Sequence, residues 1–87
     1  MMHDYYRRRA EGVILEFIRG IKKRASLNWA LGCLREMLEH GMRSSSDVLE
    51  IMEEIEGNPS LYLLDRFPER RERLKMLKRE LKRIIKS

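Results

Sequence analysis

Residues 68–86 read PERRERLKMLKRELKRIIK, a highly charged stretch in which a few apolar residues repeat at helical spacing. The repeat advances by three, four and three residues, at Leu74, Leu77, Leu81 and Ile84. This spacing is typical of a narrow apolar seam, the kind that joins helices in coiled coils. The sequence therefore predicts a helix over this whole stretch that packs along its seam, either within the chain or against a second chain.

Three segments before this stretch show the same helical recurrence of apolar residues, and none alternates as a strand would. Capping residues mark their limits: Asp4 for the first, Ser26 and Gly41 for the second, and Ser44–Asp47 and Gly57 for the third. A shorter helical segment is predicted between Leu61 and Phe67. We therefore predict one all-α domain over residues 1–87, a small bundle of four main helices plus a short linking helix, with dimerisation as one way to complete it.

Composition limits the class of protein. The chain has 87 residues, a net charge of +5, 43% hydrophobic residues and one cysteine. This apolar fraction is too high for a disordered chain, and one cysteine cannot form a disulfide framework. No secretory signal or membrane-spanning stretch is visible, so we expect a soluble, cytoplasmic protein with no membrane partner. The lack of Thr and Gln beside abundant Lys and Glu is typical of thermophile proteins.

Charge is distributed unevenly along the chain. Residues 44–57 contain five acidic residues and no basic one, whereas residues 69–87 contain nine basic and three acidic residues. Within the acidic segment, Glu50 and Glu54 lie one helical turn apart and repel each other. We therefore expect the third helix to pack beside the basic first or last helix, in the same chain or another.

The positions of two groups of arginines, at residues 7–9 and at residues 70, 71 and 73, have no local explanation. They lie near the starts of the first and last helices, where the helix dipole disfavours cations. Tyrosines precede the first group, and tyrosine beside arginine is typical of surfaces that stack on bases and bind phosphates. The alternative without a functional role is an exposed helix start whose arginines contact only water. The candidate nucleic-acid-binding residues are Tyr5, Tyr6, Arg7, Arg8, Arg9, Arg70, Arg71, Arg73, Lys75, Lys78, Arg79 and Lys82.

Other sites find less support in the sequence. A helix-turn-helix reader is excluded, because the third helix would bring five carboxylates into a groove lined by phosphates. Cys33, Met37 and His40 share one helix face near Glu36, but a buried thiol and a helix-terminal histidine explain them better than a metal site. No catalytic motif or phosphate-binding glycine loop is present. We therefore expect no enzyme activity, no metal, no cofactor and no small-molecule substrate.

Glycines inside the predicted helices are a further feature to explain. Gly12, Gly20 and Gly32 would each cost about 1 kcal/mol relative to alanine in a helix interior. We interpret them as points of close helix–helix approach, with a kink or an early helix end as the alternative for one of them.

These patterns favour two functions of different classes. The first is a non-enzymatic interaction or assembly module that binds itself, as an oligomer, or a larger protein. Its expected interface comprises Leu74, Leu77, Leu81, Ile84, Glu50, Glu53 and Glu54. The alternative is a nucleic-acid-associated basic helical protein, of the type of a small ribonucleoprotein subunit, that contacts phosphates without reading sequence. Charged substitutions of Leu77 and Leu81 would abolish assembly in the first case, and Arg8→Glu would weaken phosphate binding in the second.

Overall fold

The chain forms four α-helices in a computed structural model, which describes residues 2–20, 26–40 and 45–86, and the side chains of residues 5–20, 26–40 and 46–84. The helices are α1 (Met2–Arg19), α2 (Leu27–His40), α3 (Ser45–Glu56) and α4 (Pro68–Lys86). No strand occurs in the described ranges, so the prediction of an all-α bundle with four main helices is confirmed. The predicted caps at Gly41 and Ser44 lie outside the described residues.

A single apolar core holds the helices together. α1 packs against α2, α3 and α4, and α4 also packs against α2 and α3. Among the described residues, every fully buried side chain in this core is apolar. The largest of them are Ile14, Ile18, Leu34, Ile51, Met52, Ile55, Leu64, Leu74, Leu77 and Leu81.

Ser26 caps α2 as the sequence predicts. The backbone N–H of Trp29 donates a hydrogen bond to Ser26 Oγ at 3.2 Å. This bond satisfies one of the amides that the first turn of a helix leaves without a partner.

The connection between α3 and α4, residues 57–67, consists of consecutive turns in place of the short linking helix that we predicted. Asn58 Nδ2 donates to the backbone oxygen of Glu54 at 2.8 Å and caps the end of α3. Leu63 has a φ of 60°, in the left-handed region through which a right-handed helix cannot continue. Leu64 beside it is fully buried and anchors the turns in the core.

Tyr62 ties the same connection to α1. Its hydroxyl donates to Glu11 Oε1 at 3.4 Å. Burial raises the pKa of Tyr62 above the usual tyrosine value of 10.0, and the Glu11 carboxylate raises it further. The protonated Tyr62 side chain therefore contributes to the stability of the fold. Since the folded pKa is the higher one, this contribution is complete below pH 10.0 and is lost as the pH rises through the folded pKa.

The end of α1 is closed by a side chain from α4. Gly20 ends the helix with a φ of 65°, in the left-handed region that glycine adopts without strain. Arg73 Nε donates to the backbone oxygen of Phe17 at 2.7 Å, and its guanidinium lies 4.6 Å from the centroid of the Phe17 ring. A Cβ added to Gly20 would lie 3.4 Å from Cζ of Arg73. Gly20 therefore marks a helix end with α4 in close contact.

The other two helical glycines do not mark close helix–helix approach, and our expectation for them is wrong. A Cβ added to Gly12 or to Gly32 would meet nothing within 4 Å. Both residues are exposed. Their helices reach the core through other positions, so no packing contact requires glycine at either place.

Alanine substitutions at Gly20 and Gly12 should have opposite effects on stability. Gly20→Ala should destabilise the chain by about 1 kcal/mol or more, because alanine is strained at positive φ. Gly12→Ala should stabilise it by up to about 1 kcal/mol, because it improves helix propensity in open space. Thermal unfolding followed by circular dichroism would measure both changes, and equal shifts of the two midpoints would contradict this account of α1.

Candidate functional site

The acidic helix α3 packs between two basic helices, as its charge predicts. Arg7 Nη2 of α1 lies 2.6 Å from Glu54 Oε1, and Lys78 Nζ of α4 lies 3.6 Å from Glu56 Oε1. Each flank of α3 therefore carries one ion pair to a neighbouring helix. Part of the positive charge of the chain serves this internal packing.

Three acidic residues of α3 are exposed, and Glu54 is the one of them that has an ion pair among the described residues. Glu50 and Glu53 are exposed, and neither forms an ion pair with any described residue. We call these two residues the acidic face of α3. They lie three residues apart, so their like charges repel, and no ion pair to a described cation offsets this repulsion.

The leucine seam of α4 is satisfied inside the chain. Leu74, Leu77 and Leu81 are fully buried in the core. Ile84, the last residue of the predicted seam, is half-buried. A second copy cannot contact the three leucines while the chain keeps this fold, so the part of the predicted interface built on them is corrected to an internal contact.

Five described cations of α4 are exposed, Arg71, Lys75, Arg79, Lys82 and Arg83. We call the last four of them the basic face of α4. Lys75 Nζ lies 3.7 Å from Glu72 Oε1, and Arg83 Nη1 lies 3.3 Å from Glu80 Oε1. Arg79 and Lys82 form no ion pair with the described residues. Met76, 45% exposed, lies among these cations.

The predicted arginines at the start of α4 have internal partners. Arg70 lies 4.4 Å over the Phe67 ring and donates to the backbone oxygen of Tyr62 at 3.4 Å. Arg71 Nη2 lies 3.3 Å from Asp65 Oδ1. Arg73 closes the end of α1, as described above. The positions that the helix dipole disfavours are therefore explained by contacts within the fold, and phosphate is not needed to account for them.

The aromatic pair at the start of α1 has a defined geometry. The rings of Tyr5 and Tyr6 meet edge to face, with centroids 5.3 Å apart and planes at 80°. Arg9 Nη1 donates to the Tyr5 hydroxyl at 3.3 Å. This hydrogen bond raises the pKa of Arg9 above its usual value, with smaller contributions from Glu36 and Cys33 of α2. Arg8 is exposed and forms no ion pair with the described residues.

These aromatic residues line one side of a cavity of about 170 Å³ between α1 and α2. The lining residues are Tyr5, Tyr6, Arg9, Cys33, Glu36, Met37 and His40. The sequence allowed each half of this set to be recognised on its own helix. No sequence signal places the two halves together, because α1 and α2 meet only through packing of their apolar faces. No group of three His, Cys, Asp or Glu side chains that could hold a metal ion occurs in the described part of the chain.

Comparisons with known proteins give no match: no family model, no curated protein and no solved structure corresponds to this chain. Of the helices that the structure describes, none is long and apolar enough to cross a membrane.

Proposed function

We propose that this chain is a non-enzymatic helical interaction module that assembles with a second copy of itself through the acidic face of α3 and the basic face of α4. The observation that carries the proposal is the exposure of two oppositely charged faces on neighbouring helices. The leucine seam has no part in it.

The charge pattern within α3 supports a partner outside the fold. Arg7 and Lys78 neutralise Glu54 and Glu56, but Glu50 and Glu53 form no ion pair with the described part of the chain. Each like-charge pair one turn apart costs about 0.2–0.5 kcal/mol in a helix. An external cationic surface would remove this repulsion.

The neighbouring helix supports a second copy as that partner. α3 and α4 are in contact, and Arg79 and Lys82 of α4 are exposed and form no ion pair with the described residues. In a two-fold dimer, the same surface patch of each copy meets the other, so the acidic face of each chain can lie on the basic face of its partner. One interface then neutralises the acidic face and the basic face of both chains.

Charge reversal tests this arrangement. Glu50→Lys with Glu53→Lys in one chain, or Arg79→Glu with Lys82→Glu in another, should each weaken self-association by about a hundredfold or more, because like charges facing each other cost several kcal/mol. An equimolar mixture of the two double variants should associate again, since every contact then joins opposite charges. Sedimentation velocity over a concentration series, at low and high salt, measures the association.

Glu39→Lys provides the matched control, because Glu39 is an exposed acidic residue on α2 and belongs to neither face. It should leave the association unchanged. A wild-type chain that stays monomeric at every concentration, or a mixture of variants that fails to associate, would contradict the proposal. A monomer that binds a larger protein through the same faces would replace the second copy as partner.

Nucleic-acid binding is the second candidate function, and the exposed cations without ion pairs favour it. Arg8, Arg79 and Lys82 are free to bind phosphates, although most other cations of the predicted set are held by internal contacts. Titration of the same samples with labelled oligonucleotides across a salt series separates the two functions. Each lost phosphate contact should reduce the slope of log affinity against log salt by about one unit.

A further inference from the structure

We propose that the cavity between α1 and α2 binds a single pyrimidine base, supplied either by a free nucleotide or by an unpaired position in a strand. This site is separate from the two charged faces, so the proposal goes beyond the assembly function and does not depend on it.

The size of the cavity fits one six-membered ring. Its volume is about 170 Å³. A cavity of about 150 Å³ in another protein holds one benzene molecule, whereas drug-sized ligands occupy about 300–1,000 Å³. A pyrimidine therefore fits, and a purine would leave its second ring outside.

Aromatic and sulfur atoms provide surfaces suited to a flat ring. Tyr5 is 57% exposed, and its edge-to-face contact with the half-buried Tyr6 fixes its orientation. Met37 is almost completely buried in the wall formed by α2, beside the half-buried Cys33. Base stacking on an aromatic side chain contributes about 1–3 kcal/mol, and sulfur makes favourable contacts with ring edges.

The polar groups of the cavity are better suited to binding the edge of a base than to binding a phenyl side chain of a protein partner. Arg9 offers donors and Glu36 offers acceptors, and neither residue forms an ion pair with the described part of the chain. A cytosine edge carries an amino donor next to ring and carbonyl acceptors, so it can bridge the two charged groups. A phenyl ring would offer no hydrogen-bonding group to either charged side chain.

A phosphate attached to such a base also has a partner nearby. Arg8 follows Tyr5 by three residues on α1, so the two side chains are neighbours on the helix surface. Arg8 is exposed and has no ion pair to the described residues. It can therefore bind the phosphate of a nucleotide whose base stacks on Tyr5.

The only cysteine of the chain gives a direct readout of cavity occupancy. Cys33 lines the cavity, so a bound base should slow its reaction with a soluble thiol reagent. Saturating cytidine monophosphate, or a six-nucleotide oligocytidine, is expected to slow the reaction at least threefold. Adenosine monophosphate should protect less. Protection by both cytidine probes assigns a free-nucleotide source, and protection by the oligomer alone assigns a strand; either result supports the site.

Matched variants test the contacts. Tyr5→Ala and Glu36→Gln should each raise the concentration of cytidine monophosphate needed for protection by about tenfold. Glu39→Gln should leave this concentration unchanged, because Glu39 is an exposed residue of α2 outside the cavity. The Glu50→Lys, Glu53→Lys double variant should also keep full protection, which distinguishes failure of this site from failure of assembly. Absence of protection, equal protection by inorganic phosphate, equal protection by purine nucleotides, or protection that survives Tyr5→Ala would each overturn the proposal.

Discussion

Leu77→Asp is expected to leave the chain unfolded at room temperature. Leu77 is fully buried in the core, on the inward side of α4. An unpaired carboxylate there costs several kcal/mol beyond the lost packing, and a domain of this length has a total free energy of unfolding of roughly 4–13 kcal/mol. Far-ultraviolet circular dichroism would show the loss of helix, and Leu77→Ala should cost about 2–5 kcal/mol in urea unfolding.

Met76 provides the control for this result. It precedes Leu77 on α4 but is 45% exposed, so Met76→Asp should leave the helix content unchanged. The outcome also distinguishes packing of the leucine seam within the chain from packing against a second chain. A Leu77→Asp chain that stays folded but loses assembly would mean that the seam joins two chains, and would contradict the internal packing described here.

Arg73→Ala is expected to destabilise the chain by about 2–4 kcal/mol. The substitution removes the hydrogen bond from Nε to the backbone oxygen of Phe17 and the contact of the guanidinium with the Phe17 ring. A hydrogen bond from a charged group contributes about 1.5–3 kcal/mol, and a cation–π contact adds about 0.5–1 kcal/mol. Urea unfolding of the variant measures the sum.

Two further variants define the cause of that loss. Arg73→Lys keeps the charge but lacks the planar guanidinium, so it should recover only part of the stability. Arg79→Ala removes an exposed cation of the same helix and should change the unfolding free energy by less than about 0.5 kcal/mol. If Arg73→Ala leaves stability unchanged and instead weakens oligonucleotide binding, Arg73 binds phosphate as the sequence first indicated.

Local signals explain why the helices could be predicted from sequence. Ser26 contacts only its own turn of the chain, yet its capping hydrogen bond is enough to locate the start of α2. Pro68 starts α4 because its fixed φ suits the first helical turn. The acidic block of α3 likewise predicted basic neighbours, because opposite charges on packed helices are the simplest way to neutralise five carboxylates.

Long-range contacts explain what the sequence could not predict. A leucine seam has the same spacing whether it packs in its own chain or in another, so only the folded arrangement decides between them. The partner of Arg73 lies 56 residues away at Phe17, and no local pattern identifies it. The cavity likewise needs the start of α1 beside the end of α2, since its lining comes from both helices.

The left-handed Leu63 has a consequence for the evolution of this chain. A β-branched residue at a φ of 60° would be severely strained, whereas glycine or asparagine adopts that conformation readily. Leu63 is also partly exposed, so little packing is lost when its side chain is shortened. Natural variants of the sequence should therefore accept Gly or Asn at position 63 and avoid Val and Ile. Position 64, whose leucine is buried next to it, should remain a large aliphatic residue throughout.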